Sequence, residues 1–422
     1  MADSKIDINV PYGQETVVVS VPGKNLAGTL RVNDVEPAMS EEDTIKRALA
    51  EPVNSRPFEE FLGDAKDVLV IVNDATRPTP TARVLDHLSP YFEGKNVSFI
   101  IATGIHRAPT DDEMEFIFGK HLERYREVIH VHDAKNNDML QHIGRSKNGT
   151  EMYLNRLALE AHKIVIIGSV EPHYFAGYTG GRKAFLPGIA GYETIEVNHK
   201  HALKMEAQAL ELDGNPVHDD MVDALKSLEG KEIFSLQVVL DQKHNIYTAT
   251  GGELNESFIK AVQAAWDVFC VKIPEKYDIV VSVAPYPMDV DLYQSQKALD
   301  NGKLALKNHG ILIMVSKCRT GVGHDSFLKL MSAAASPLEA IEVIKQEYKV
   351  GYHKAAKMAE IAVWAEMWGV TDLDPDTLQS AFIRPVESIQ AGVDEALEIK
   401  GPDAKILFML DGSITVPLVD KI

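Results

Sequence analysis

Eight short runs of β-branched and aliphatic residues constrain the fold: "DVLVIVND" (67–74), "NVSFIIATG" (96–104), "EVIHVHD" (127–133), "KIVIIGSV" (163–170), "IFSLQVVLD" (233–241), "DIVVSVAP" (278–285), "GILIMVSK" (310–317) and "AKILFMLDG" (404–412). Each is almost continuously apolar, as expected for a strand buried on both faces of a sheet. Amphipathic helical stretches lie between them at 41–50, 81–92, 215–228, 254–269, 325–347 and 388–399. Strand and helix in alternation predict an α/β fold with mostly parallel sheets and flanking helices. The clearest boundary is "CVKIPEKYD" (270–278), where a proline and mixed charges separate a long helix from a fresh strand. We expect an N-terminal α/β domain over 1–272 and a C-terminal α/β domain over 273–422, the second closing over a substrate. Ligands in such folds sit at the carboxyl ends of strands. Four polar loops follow strand ends, one of them beyond the boundary, so an active site in an interdomain cleft is expected.

The bulk numbers narrow the chemistry. A chain of 422 residues has room for two cores and needs no disulfide or structural-metal staple. The net charge of −19 argues against nucleic acid, which requires clustered Lys and Arg, but leaves room for a small anion held by a few local cations. The two cysteines, Cys270 and Cys318, follow apolar runs and form no CxxC pair, so a structural zinc site is not expected. The opening residues lack the apolar core of a signal peptide, and no run approaches a membrane span. No membrane partner and a reducing cytoplasm are the expectations.

The most unusual segment is "EPHYFAGYTGGRKAFLPGIAGYETIEVNHK" (171–200), which leaves a buried strand and runs through glycines carrying His173, Lys183 and His199. It is not a P-loop, because Arg182 stands between glycine and lysine, and "GYTGGR" is not a GxGxxG dinucleotide turn. Gly180, Gly181, Arg182 and Lys183 could still cradle one phosphate, or form a tight turn with solvated cations. His106, in "ATGIHRAP", also follows a strand end. Either His106 or His173 alone reads as a polar loop residue; as a pair they could be acid and base near neutral pH. Asp74, Thr76 and Arg77 form a compact polar cluster, in which Arg77 could grip a carboxylate or simply cap a turn. His199 lies in a helix-like run, where a solvated face is the plain alternative. Tyr293, Gln294 and Lys297 have the spacing of one helix face, substrate-binding or merely amphipathic.

Taken together and in order, "DATRPTP" (74–80), "ATGIHR" (102–107), "EPHYFAGYTGGRKAFLPGI" (171–189), "NHK" (198–200) and "YPMDVDLYQSQK" (286–297) resemble the nickel-pincer-nucleotide-dependent lactate racemase family. The resemblance spans most of the chain from about 67 to 315. It implies a pyridinium mononucleotide carrying two sulfur groups and nickel. Lys183 would hold that cofactor covalently through a thioamide, and His199 would be the protein ligand to nickel. His106 and His173 would be the acid/base pair. Arg77, Gln294 and Lys297 would hold the substrate carboxylate, with Tyr293 beside them. Asp74, Thr76 and the Gly180–Gly181–Arg182 loop would seat the cofactor. The implied reaction is reversible hydride transfer from a 2-hydroxy acid, and enzymes that build the cofactor would be partners.

The chain departs from the family pattern at Ala75, where a histidine is common, and in "RTGVGHDSF" (319–327) and "GYHKAAK" (351–357). Those stretches would shape the pocket for the substrate's side chain, so lactate, malate, a longer hydroxy acid and a sugar acid all remain open. Two other readings stand beside a racemase or epimerase. One is a zinc- or iron-dependent lyase or hydrolase ligated by His106, His173 and His199. The other is a binding protein for a small carboxylate.

Overall fold

All eight apolar runs form strands, and their side chains divide between two faces with a period of two. In Asp67–Asn73, Val68, Val70 and Val72 enter one buried cluster while Leu69 and Ile71 enter another. The same split occurs in Lys163–Ser169, with Val165 and Ile167 on one side and Ile164 and Ile166 on the other. In these two strands both faces are covered, which is why they read as almost continuously apolar. The computed structural model describes residues 4–323 and 325–420, with the side chains of 325 and 326 left aside. His324, within the divergent 319–327 stretch, lies outside the described residues.

The chain divides into two compact units, Asp34–Val268 and Met1–Asn33 with Phe269–Ile422. The first unit is built on a six-stranded sheet in the order Ile246–Gly252, Glu232–Leu240, Lys163–Ser169, Asp67–Asn73, Asn96–Ala102, Ile129–Val131. All neighbours are parallel except the edge strand Ile246–Gly252. The chain starts in the middle at Asp67–Asn73, builds outward to one side, then returns and builds to the other. Asp67–Asn73 and Lys163–Ser169 thus flank the point where strand order reverses. Their carboxyl ends diverge there, opening the crevice where doubly wound sheets bind ligands.

The second unit carries another six-stranded, fully parallel sheet: Ile383–Pro385, Glu366–Val370, Leu306–Val315, Tyr277–Val283, Ile406–Met409, Leu26–Leu30. Its last strand corrects the expected domain span of 1–272. Leu26–Leu30 hydrogen-bonds along Ile406–Met409, and the antiparallel hairpin Lys5–Tyr12 with Glu15–Pro22 buries Ile8, Val10, Val19 and Val21 in the same cluster as Ile279, Ile311 and Trp368. Residues before 34 therefore belong with the C-terminal unit. The long helix expected over 325–347 is two helices, Asp325–Ala333 and Pro337–Gln346, because Pro337 begins the second turn sequence and Ser336 caps it.

One helix of the first unit is anchored by buried polar groups. Tyr192–Lys200 is tied to the hairpin before it: the Thr194 hydroxyl donates to the Glu151 carbonyl and accepts from the Tyr153 amide. Asn198, fully buried, donates to the Val217 carbonyl at 3.1 Å. Beneath it Asp220, also fully buried, accepts from Thr150 and Asn148 and faces His201. Burial pushes the Asp220 carboxyl up, but bonds from His201, Thr150, Ser146 and Asn148 outweigh it and bring the pKa down to about 2. A depressed carboxylate stabilises the fold above its unfolded-state pKa, and that contribution is lost as pH falls through the folded value. We therefore expect Asp220→Asn to cost on the order of 2 kcal/mol at pH 7. The difference from wild type should shrink toward pH 2, as measured by thermal unfolding across that range.

Candidate active site

The loops at the reversal point place Asp74, Thr76 and His106 together. Asp74 directly follows Asp67–Asn73 and is 7% exposed. Its Oδ2 lies 2.6 Å from His106 Nδ1, and its Oδ1 accepts from the Thr76 hydroxyl at 2.7 Å. His106 arrives from the neighbouring strand end, its amide bonded to the Thr103 carbonyl at 3.0 Å. Burial pushes the Asp74 carboxyl up, but the hydrogen bond and charge of His106, the Thr76 hydroxyl and the Arg77 charge prevail and hold it below the usual carboxylate range. An ionised carboxylate only accepts, so His106 Nδ1 carries the proton and donates. In its neutral form this histidine presents Nε2 as an acceptor.

His173 is fixed the other way round. Pro172–His173 pairs with Gly177–Tyr178 in a minimal antiparallel ribbon, and the turn between them brings the Ala176 amide onto His173 Nδ1 at 3.3 Å. Nδ1 accepts, so the neutral ring carries its proton on Nε2. The His173 ring stacks on Tyr174, with centroids 5.0 Å apart, and meets Phe175 edge-on at 4.6 Å.

Phe175 is the centre of this group. It is 2% exposed, and three of the residues singled out in the sequence touch its ring: His173, His199 at 5.1 Å, and the Lys183 ammonium at 5.7 Å from the centroid. Its carbonyl accepts from Asn215 at 2.9 Å, a fully buried residue that also caps the helix Pro216–Leu225. His199 rides on the anchored helix Tyr192–Lys200. Burial, then the charges of Lys183 and His106, drive its pKa down to about 3, against a weaker upward pull from the Ile195 carbonyl. His199 is therefore a neutral imidazole at any physiological pH, the form that binds a metal.

The glycines serve the approach of this loop to the sheet. Gly180 and Gly181 have φ of +80° and +52°. A Cβ at Gly180 would lie 2.6 Å from both Gln237 and Val170, and one at Gly181 would lie 2.8 Å from Phe258. The Gly181 amide donates to Gln237 Oε1 at 3.0 Å. Arg182, 2% exposed, donates to the carbonyls of Ala176, Thr179 and Gly180 and to His218 Nδ1, and packs 4.3 Å over Phe258. Burial lowers its pKa to about 9. The Gly181 amide and the Arg182 guanidinium, expected near a nucleotide phosphate, bond within the protein to Gln237, His218 and the loop carbonyls.

The expected carboxylate-binding residues fall into two groups. Arg77 follows Asp74 in the first unit, its amide bonded to the Asp74 carbonyl. Tyr293, Gln294 and Lys297 lie on the helix Leu292–Gly302 of the second unit, capped by Asp291 through a 2.6 Å bond from the Gln294 amide. Lys354 donates to the Tyr293 carbonyl and stands 4.0 Å from its ring centroid. Burial raises the Asp291 pKa, eased by the Gln294 amide and the charges of Lys354 and Lys297. Burial and then Asp291 push the Tyr293 phenol upward. Phe175, Asn215, Gln237 and Lys354 escaped the sequence reading. Gln237 alone carried a usable signal, as an amide inside an otherwise apolar strand. Ala75 packs against the apolar core of the first unit.

Comparison with known proteins shows the family and the fold of the chain. Residues 12–211 match the lactate racemase N-terminal domain and residues 273–416 the lactate racemase C-terminal domain. The lactate racemase of Thermoanaerobacterium thermosaccharolyticum is 30% identical over 419 residues, covering 96% of this chain and 98% of that protein. The lactate racemase of Lactiplantibacillus plantarum is 28% identical over 427 residues, with the same coverage of 96% and 98%. The structure of the T. thermosaccharolyticum apoprotein superposes with a TM-score of 0.91 and 31% identity over 98% of this chain and 100% of that one. A Thermotoga maritima protein shares the fold, with a TM-score of 0.67 and 17% identity over 90% of this chain and 98% of that one. The chain belongs to the lactate racemase family of isomerases.

Proposed function

We propose that this protein racemises or epimerises a 2-hydroxy acid, using a nickel-pincer nucleotide joined to Lys183. The observation that carries the reading is the meeting of His173, Lys183 and His199 on the single ring of Phe175, with His199 held neutral. The donor set fits the group: a lysine for a covalent amide-type link and one neutral imidazole for nickel, whose remaining donors belong to the nucleotide. When bound, the nucleotide supplies reversible hydride uptake at the substrate's C2. The chain's own residues manage the proton. His106, its Nδ1–H directed to Asp74, offers Nε2 to take the hydroxyl proton. His173 is the proposed partner in the opposite transfer: in its protonated form it returns one proton and becomes the neutral ring. Two histidines suit a reaction that must remove a proton on one side and deliver it on the other. Arg77 in the first unit, and Gln294 and Lys297 in the second, are the residues proposed to bind the substrate carboxylate. The lyase or hydrolase alternative is not supported, since no three His, Cys, Asp or Glu side chains come together as metal ligands among the described residues.

Two further parts of the reading follow. Enzymes that build the nucleotide would be partners, because the chain supplies only attachment and ligation. The cytoplasm is the proposed location, supported by two buried free thiols, Cys270 and Cys318. Among the described residues no helix is long and apolar enough to cross a membrane.

Intact mass tests the central point. Protein made together with the cofactor-building enzymes should carry an adduct that maps to Lys183; Lys183→Ala should lack both the adduct and racemase activity while melting like wild type. An active Lys183→Ala enzyme would falsify the covalent assignment. His199→Ala should keep the organic adduct but bind nickel below stoichiometry, read by metal analysis beside the same mass measurement. Stoichiometric nickel in that variant would remove His199 from the metal site. Asp74→Asn should lower kcat by roughly 10²–10⁴-fold with little change in carboxylate binding, because the His106 tautomer is no longer fixed. An unchanged kcat would show that His106 does not work through Asp74.

A further inference from the structure

We propose that Lys357 receives a second anionic group of the substrate, so that the preferred 2-hydroxy acid is a dicarboxylate. The inference rests on the racemase reading and specifies its substrate class. Its basis is the helix Tyr352–Trp364, which carries His353, Lys354 and Lys357 into positions only 3%, 4% and 5% exposed. An ammonium removed from water is costly unless it is paired or well hydrogen-bonded. Lys354 meets that condition through the carbonyl and ring of Tyr293. Lys357 does not. Among the described residues its partner is Glu360 Oε2 at 3.5 Å, and that carboxylate is 40% exposed. A solvated carboxylate at that range offsets little of the cost.

Position makes this lysine relevant to substrate. Lys354 touches Tyr293, and Tyr293 shares its helix with Gln294 and Lys297, the residues proposed to hold the first carboxylate. Lys357 stands one turn beyond Lys354, on the same helix face, with Cβ atoms roughly 5–6 Å apart. A hydroxy acid with a methyl side chain leaves this ammonium without a counter-charge. One ending in a second carboxylate supplies it through a charge-assisted hydrogen bond. Lys354, by holding Tyr293, acts as a positioning residue for the same face.

The test compares 2-hydroxysuccinate with 2-hydroxypropanoate on the cofactor-loaded enzyme. Wild type should favour the dicarboxylate in kcat/KM by tenfold or more. In Lys357→Met the ratio of the two kcat/KM values should fall roughly ten- to a hundred-fold, mainly through KM for the dicarboxylate, the range expected for one lost charged hydrogen bond. Lys357→Arg should recover part of the preference. Because both acids are measured on one preparation, the ratio does not depend on the fraction that is folded. A wild-type enzyme that prefers the monocarboxylate, or a ratio unmoved by Lys357→Met, overturns the inference and leaves the racemase reading intact. Turnover of neither acid by protein carrying the Lys183 adduct overturns both.

Discussion

The carbonyls of Phe175 and Ala176 are each held by a buried donor, Asn215 for the first and Arg182 for the second. The grouping of His173, Lys183 and His199 around Phe175 follows from that grip. It fixes the turn that lays the Ala176 amide on His173, and it fixes the ring against which Lys183 and His199 stand. Asn215 is at the same time the cap of a helix, so the turn is registered to the body of the unit rather than to its own loop. Arg182 is a buried cation whose donors meet backbone carbonyls and a histidine. Such a group is costly to desolvate, and its geometry offsets the cost: it donates to the carbonyls of Ala176, Thr179 and Gly180.

Charge is arranged to keep one imidazole neutral while another is oriented. His199 loses its proton affinity to burial and to the charges of Lys183 and His106. Asp74, by contrast, keeps its negative charge beside His106. His199 on its helix and His106 on its loop thus have different surroundings. The difference arises from the burial of His199 first, then from the neighbouring lysine, and at His106 from the carboxylate of Asp74.

Much of this was legible before any coordinates. The eight apolar runs became strands because burial on both faces leaves no other pattern available. His173, Lys183 and His199 stood out together because they share one glycine-rich segment. Phe175 did not, because an aromatic residue in a sequence looks the same whether it fills a core or serves as a platform. The glycines were read as a phosphate cradle or a tight turn; Gln237 and Phe258, which pack against Gly180 and Gly181, could not be foreseen from the segment itself. The strand Leu26–Leu30 was invisible for another reason. Its partner is Ile406–Met409, at the far end of the chain, and no local pattern announces so distant a pairing.

That strand also sets an order of assembly. The polypeptide passes from the second unit to the first after Asn33 and back again after Val268. Emerging from a ribosome, Asp34–Val268 is contiguous and can complete its own sheet during synthesis. The first thirty-three residues cannot. Their edge strand and hairpin wait, apolar face uncovered, until Ile406–Met409 has been made. The last sheet to close is therefore the one that joins the two ends of the chain, and a truncation reaching Leu30 from one end or Ile406 from the other removes a strand from the same sheet.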